Sequence, residues 1–285
     1  MNIKTLFVFI FLILIFGCKN PVATENKVPG TIIFSDSFND PLFKDWRTSN
    51  DPSTPSLPDY AIQITSAQKR LGNSSVKFEL HNNDPEQYSG KRAELRRWPP
   101  DEQFAERWFA FSIFLPENYE TDPKSAEIVA QWHNYPDLNL GEQWTSPPLC
   151  LLTKNGNWFV VIIWDDNKIS DMEEITLNNK QIIVDLGSYE NDKNKWIDWV
   201  FHVKWGWSDS HKPVLEIFKD GKLVYSRKGP NTTNDETGVY FNIGIYKWDW
   251  LTNPQKSVLT ERTIFIDEVK IGDANCSLSD FYPVH

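Results

Sequence analysis

The sequence predicts an all-β fold, a β-sandwich of jelly-roll type (concanavalin-like) in which one curved sheet offers a concave groove to an extended ligand. Three observations predict it. Around a dozen short segments rich in Val, Ile, Phe and Trp alternate apolar and polar residues with a period of two. Clusters of Gly, Pro, Asn and Asp separate them, and Asp220-Gly221 between two alternating runs is a hairpin signal. No long amphipathic helical pattern interrupts the series. With 285 residues, 40% of them hydrophobic, the chain can bury a large core, and sandwiches of this size commonly form one domain.

The first seventeen residues carry Lys4 and an apolar run from Leu6 to Phe16, too short for a bilayer span and placed where a secretory apolar region sits. The sequence Ile15-Phe16-Gly17-Cys18 resembles a bacterial lipoprotein signal, with Ile15 and Phe16 departing from the usual pattern. The resemblance implies a signal peptide at 1–17, lipidation of Cys18, a polar tether over 18–30 and an exported, membrane-anchored domain at 31–285, at the outer membrane, the cell surface or in the periplasm. Loss of residues 1–17 removes one positive charge, Lys4, taking the formal net charge from −10 to −11. So acidic a chain lacks the clustered cations that nucleic-acid binding needs. Any positive charge facing an anionic polymer must be local. Cys150 and Cys276 remain as a disulfide that export would permit or as two buried thiols. A monomer is expected.

Taken in order, Thr31 to Phe38 reads as the first strand, and a turn-rich stretch with a buried Trp46 runs on to Pro58. Tyr60 to Thr65 and Ser75 to His81 alternate around the turn Leu71-Gly72-Asn73. Strands follow at 91–97, 108–115, 126–133, 149–152, 158–164, 180–186, 199–205, 214–219, 222–227, 239–246 and 262–271. Of the thirteen tryptophans, Trp108, Trp158, Trp199 and Trp205 suit core packing. Trp132, Trp248 and Trp250 lie near polar motifs, where stacking on sugar rings competes with burial.

The stretch Val239 to Lys247 is the centre of the functional reading. Phe241, Ile243 and Ile245 fall on one face, and Tyr240, Asn242, Gly244 and Tyr246 on the other. The second face is unusual for a solvated strand, and its glycine leaves room for a ligand at the backbone. In Lys91 to Arg97, Arg92, Glu94 and Arg96 share a face; in Glu127 to His133, Gln131 and His133 do so opposite Trp132. If the three strands are neighbours, these groups converge.

Cations and an amide can neutralise a carboxylate, while an imidazole and a phenol can exchange protons. That combination suits β-elimination at a uronic acid. Masking the carboxylate acidifies the C5 proton, a base removes it and an acid protonates the departing O4. Taken singly, each motif has a plainer reading: Arg92 and Glu94 as an ion pair worth under about 1 kcal/mol, His133 as a structural imidazole, Tyr246 as strand surface.

Arg92-Ala93-Glu94-Leu95-Arg96, Gln131-Trp132-His133 and Tyr240-Phe241-Asn242-Ile243-Gly244-Ile245-Tyr246 resemble the three motifs of the jelly-roll polysaccharide lyases: alginate lyases, glucuronan lyases and heparin lyase I. Trp199 to Trp205, the Asp220-Gly221 hairpin and Ile266-Asp267-Glu268-Val269-Lys270-Ile271-Gly272 resemble the heparin lyase I and glucuronan lyase branch, and the likeness spans about residues 31 to 272. It implies catalytic roles for His133 and Tyr246 and carboxylate neutralisation by Gln131 and Arg92. Arg96, Glu94, Tyr240, Asn242, Lys247 and Trp248 are the expected substrate contacts. Asn242 stands where many alginate lyases carry Lys, and Lys247 is expected to supply that cation. The chemistry requires no cofactor; a structural calcium ion is held by some relatives, with Asp267 a conceivable ligand here.

The expected activity is a lyase leaving 4,5-unsaturated uronate ends on an anionic polysaccharide. Tyr246 donates to the leaving oxygen and also acts as base on syn substrates; His133 is the base on anti substrates. An unperturbed tyrosine titrates near pH 10, so a tyrosine base requires cations such as Arg92 or Lys247, and a neutral to alkaline optimum is expected. A hydrolase would need paired carboxylates on one face of the groove, which no strand here supplies. A surface lipoprotein that binds polysaccharide without cleaving it is the alternative.

Overall fold

The computed structural model describes residues 28–40 and 42–284; the signal segment and Cys18 lie outside the described residues. Fifteen strands form two antiparallel sheets. The first sheet contains β1 (Ile32–Asp36), β3 (Ile62–Thr65), β4 (Ser75–His81), β6 (Glu106–Phe114), β11 (Trp196–Lys204), β12 (Val214–Lys219), β13 (Lys222–Lys228) and β15 (Glu261–Gly272). Its order is β13-β12-β11-β6-β15-β4-β3, with β1 paired to β15. The second contains β2 (Trp46–Thr48), β5 (Arg92–Arg97), β7 (Glu127–His133), β8 (Leu149–Lys154), β9 (Asn157–Ile163), β10 (Gln181–Ser188) and β14 (Tyr240–Tyr246), in the order β10-β9-β8-β7-β14-β5-β2. Two short helices, α1 (Met172–Leu177) and α2 (Asp249–Thr252), lie in loops.

The jelly-roll sandwich expected from the alternation is the observed fold. The short strand β2 inside the turn-rich stretch is the element the pattern did not give. Three residues are too few for a period, and tertiary pairing with β5 makes it a strand. The hairpin at Asp220-Gly221 joins β12 to β13, with Asp220 at φ 48° and Gly221 at φ 73°.

Aromatic packing holds the sheets together. Trp132 on β7 lies 5.3 Å from Phe109, 4.7 Å from Phe201 and 5.0 Å from Phe241 between ring centroids. Burying such rings is worth several kcal/mol in total. Trp108, Trp158, Trp199 and Trp205 are buried as expected, and Trp132 and Trp250 join them. Stacking on sugars is therefore closed to those last two. Cys150 and Cys276 are unpaired buried thiols in separate clusters.

Lys247 does not reach the groove. It is fully buried with its ammonium 2.9 Å from Asp122 and 2.8 Å from Glu127, and Glu127 also accepts from Arg262 at 2.7 Å and Tyr119 at 2.6 Å. The expected substrate cation is thus a structural counter-ion. Its position follows the strand: residue 247 continues the parity of Phe241, Ile243 and Ile245, which point inward. Removing one partner from a buried pair leaves an uncompensated charge. Lys247→Met is therefore expected to lose about 3–5 kcal/mol of stability, read by chemical denaturation; a loss below about 1 kcal/mol would refute the assignment.

Candidate active site

The second sheet brings the three polar strands side by side, with β14 between β5 and β7. Across this ladder Tyr240 pairs with His133, Asn242 with both Gln131 and Arg96, and Tyr246 with Arg92. The groove above has a volume of about 1490 Å³. Arg92, Arg96, His133, Tyr240, Tyr246 and Trp248 line it.

His133 is held by its own loop. Its Nδ1 donates to the Asn134 carbonyl at 2.9 Å, and the Asn134 amide in turn donates to Asp235 at 3.2 Å. That bond places the ring proton on Nδ1 and leaves the Nε2 lone pair free. The imidazole ring lies parallel to Tyr240, with centroids 5.5 Å apart. Burial, helped by Arg92 and Arg96, pulls its pKa down to about 4, so the ring is neutral at pH 7. Tyr240 moves the other way, pushed up to about 12 mainly by burial, and keeps its proton.

The arginines are arranged around the tyrosines. The Arg92 guanidinium lies 3.9 Å from the centre of the Tyr246 ring, and Arg96 lies 4.5 Å from that of Tyr240. Nε of both arginines is buried without a partner in the floor, and the terminal nitrogens of Arg92 contact Glu94 and the Tyr88 carbonyl at 3.5 Å.

Below this surface lies a second polar layer. Glu94, Gln131 and Asn242 are all buried, at 2%, 0% and 1% exposure. Glu94 accepts from the Gln131 amide and is 3.5 Å from Arg92. Its pKa is raised, because burial outweighs the help of Arg92, Gln131, Arg96 and Asn242. These three residues were expected to touch substrate. Their side chains lie under the floor, and the Gln131 donor faces Glu94, so direct neutralisation of a substrate carboxylate by Gln131 is not available in this arrangement.

Gly244 likewise serves packing rather than ligand approach. At φ 132° a Cβ there would lie 2.2 Å from the Ala93 carbonyl oxygen. Asp267, the conceivable calcium ligand, accepts backbone N–H bonds at 2.8 Å from both Arg70 and Glu268, and burial pushes it up to about 7. The described residues hold one grouping of three carboxylates, Asp137, Glu142 and Asp235, all buried; Lys168 already binds Asp137.

Several groove residues come from loops and short strands that carry no period to read: Arg47, Tyr88, Trp98, Tyr135 and Trp144. Gly90 is another. A Cβ there would come within 2.6 Å of the Tyr246 ring and 3.1 Å of Arg92. The missing side chain therefore sets how the phenol sits.

The model of the polysaccharide lyase family matches residues 42–270. The chain belongs to that family. As a polysaccharide lyase it shares its fold with solved structures of low sequence identity. The endo-β-1,4-glucuronan lyase of the fungus Trichoderma reesei superposes with a TM-score of 0.65 at 18% identity, covering 86% of this chain and 96% of that one. The binding domain of botulinum neurotoxin serotype D gives 0.50 at 13% identity, covering 87% and 50%. A family 7 alginate lyase solved with its product gives 0.49 at 10% identity, covering 76% and 84%. No curated protein sequence matches the lyase.

Gly90→Ala is expected to cut turnover by roughly tenfold, the scale on which a misplaced reacting group costs rate. Folding stability is expected to stay within about 1 kcal/mol. Unchanged kcat in a folded variant would show that the Tyr246 ring is not held by this contact.

Proposed function

We propose that the lyase cleaves a uronic-acid polymer by β-elimination, with His133, Tyr246 and Arg92 as its working groups. The observation that carries this reading is the state of His133: neutral, fixed through Nδ1, its Nε2 free in a groove that Arg92 and Arg96 also line. Arg92, joined by Arg96, binds the uronate carboxylate and stabilises the charge that develops on it as the C5 proton leaves. His133 Nε2 takes that proton where C5–H and O4 are anti. The C5–H electrons become the C4–C5 double bond, the C4–O4 bond breaks, and the Tyr246 hydroxyl protonates the departing oxygen. On syn substrates Tyr246 serves as both base and acid. No step requires a cofactor.

Gln131, Asn242 and Glu94 act from beneath as positioning residues that fix the arginines. Tyr240, its ring packed by Arg96 and His133, holds both in place, and Trp248 offers a ring face to the sugar. The N-terminal pattern supports an exported protein anchored through a lipid on Cys18, facing polymer outside the cytoplasm. A monomer with one groove suffices for this chemistry.

Incubating the soluble domain with a panel of uronate polymers and following absorbance of the unsaturated product tests the reading. His133→Ala and Tyr246→Phe are each expected to lower kcat by at least 100-fold, the range of positioned acid–base groups, with KM changing much less. Binding with no product from the native protein on any polymer would sink it.

The pH dependence follows from the depressed histidine. A base must be deprotonated to act, and the native imidazole stays so down to about 4. On a substrate that uses His133, the acid limb of kcat/KM, which reports the free enzyme, is expected near pH 4. A limb centred between 6 and 7 would show that the ring is not in the buried, Asn134-bound state.

A further inference from the structure

The groove has two chemically different halves. On the β2, β5 and β14 side, its lining includes the cations Arg47, Arg92 and Arg96. Across β8, β9 and β10, the lining includes Leu152, Phe159, Val161, Ile163 and Ile183, with Lys154 and Gln181 as the polar side chains of those strands. These side chains lie on the solvent face of the sheet. The opposite face of the same strands supplies Leu151, Trp158, Val160 and Ile162 to the core. A strand pair facing water on one side ordinarily alternates apolar and polar residues, and here both faces are apolar. Ile183 is 64% exposed.

The halves belong to one continuous groove, so a polymer bound at the arginines continues over the apolar floor. Three strands span about 10 Å between the outer two, room for on the order of two sugar rings. Lys154 and Gln181 stand at strand ends; over the strand centres a uronate carboxylate would lose water and gain no partner. Phe159 apart, the apolar side chains offer neither a ring to stack on nor hydrogen bonds for sugar hydroxyls. What they favour is methyl groups.

We propose that the preferred substrate is a uronate polymer whose residues next to the cleaved unit carry apolar substituents, as O-acetyl groups or as the methyl of a 6-deoxy sugar, seated on the β8–β10 floor. This rests on the lyase reading above and narrows its substrate class. Unsubstituted homopolymers of uronate are the poorer substrates. Each methyl buried is worth about fourfold in kcat/KM, equivalent to about 0.8 kcal/mol, and two or three together about tenfold or more.

The test compares three polymers with the soluble domain: an O-acetylated β-1,4-glucuronan, the same material after saponification, and a copolymer of uronate with a 6-deoxyhexose. At least one substituted polymer is expected to exceed the saponified one tenfold in kcat/KM, and which of the two does so distinguishes acetyl from deoxy recognition. Ile183→Asp is expected to bring that ratio toward one. Equal or faster cleavage of the saponified polymer than of both others overturns the inference and leaves the elimination reading standing. If no polymer yields unsaturated ends, the elimination reading falls, and affinities from tryptophan fluorescence decide the rest: tighter binding of a substituted form supports the floor assignment, equal binding overturns it.

Discussion

The site depends on the pleat of one strand. In β14, every second side chain must point into the sandwich, and Phe241, Ile243 and Ile245 do so against the aromatic cluster around Trp132. The intervening residues are thereby directed to the concave face. Because β14 pairs on both edges, with β5 and with β7, the same constraint aligns Arg92 beside Tyr246 and His133 beside Tyr240. A slip of one residue would turn the core into the groove and the reacting groups into the core. The cost of exposing Phe241 and Trp132 is what forbids that slip.

Charge is arranged on a second level. A chain of net charge −10 repels polyanions over most of its surface, so three arginines gathered in one groove make an attractive path of limited width. Concentrating cations costs energy, and burying Glu94 beneath them offsets it. The cluster of Lys247, Asp122, Glu127 and Arg262 is separate from this, enclosed at the end of β14. Two buried ion networks thus flank the strand. One is sealed and ties loops to the sheet; the other includes arginines that line the groove.

Period-two alternation is a strong signal, and it made nearly every strand legible, including the neighbours that carry Arg92, His133 and Tyr246. What it conveys is the face, not the depth. Gln131 and His133 share a face two residues apart, yet one has no exposed surface and the other lines the groove; the Gln131 amide is bonded to the buried Glu94, a partner the alternation does not name. Lys247 shows the opposite failure: its parity pointed inward, but a lysine is credible there only once Asp122 and Glu127 are seen, and these lie more than a hundred residues away. Gly90, Tyr88 and Trp144 sit in loops, where neither periodicity nor turn chemistry signals proximity to Tyr246 or His133.

The position of Glu94 bears on how such a groove favours reaction over tight binding. Arg92 lies 3.5 Å from the buried Glu94 carboxylate, and on the proposed uronate substrate the two anions would compete for one guanidinium. In the ground state a uronate brings a single delocalised charge and meets an arginine already partly neutralised. In the proposed elimination, charge would accumulate on the same carboxylate as the C5 proton leaves, and the pull on Arg92 would rise while that of Glu94 stays fixed. The raised pKa of Glu94 sharpens the contrast, since a carboxyl with a weak hold on its charge yields the cation more readily. An interaction that strengthens only along the reaction path lowers the barrier without deepening the substrate well. An arginine with no buried partner would hold the ground-state carboxylate more tightly and so deepen the substrate well.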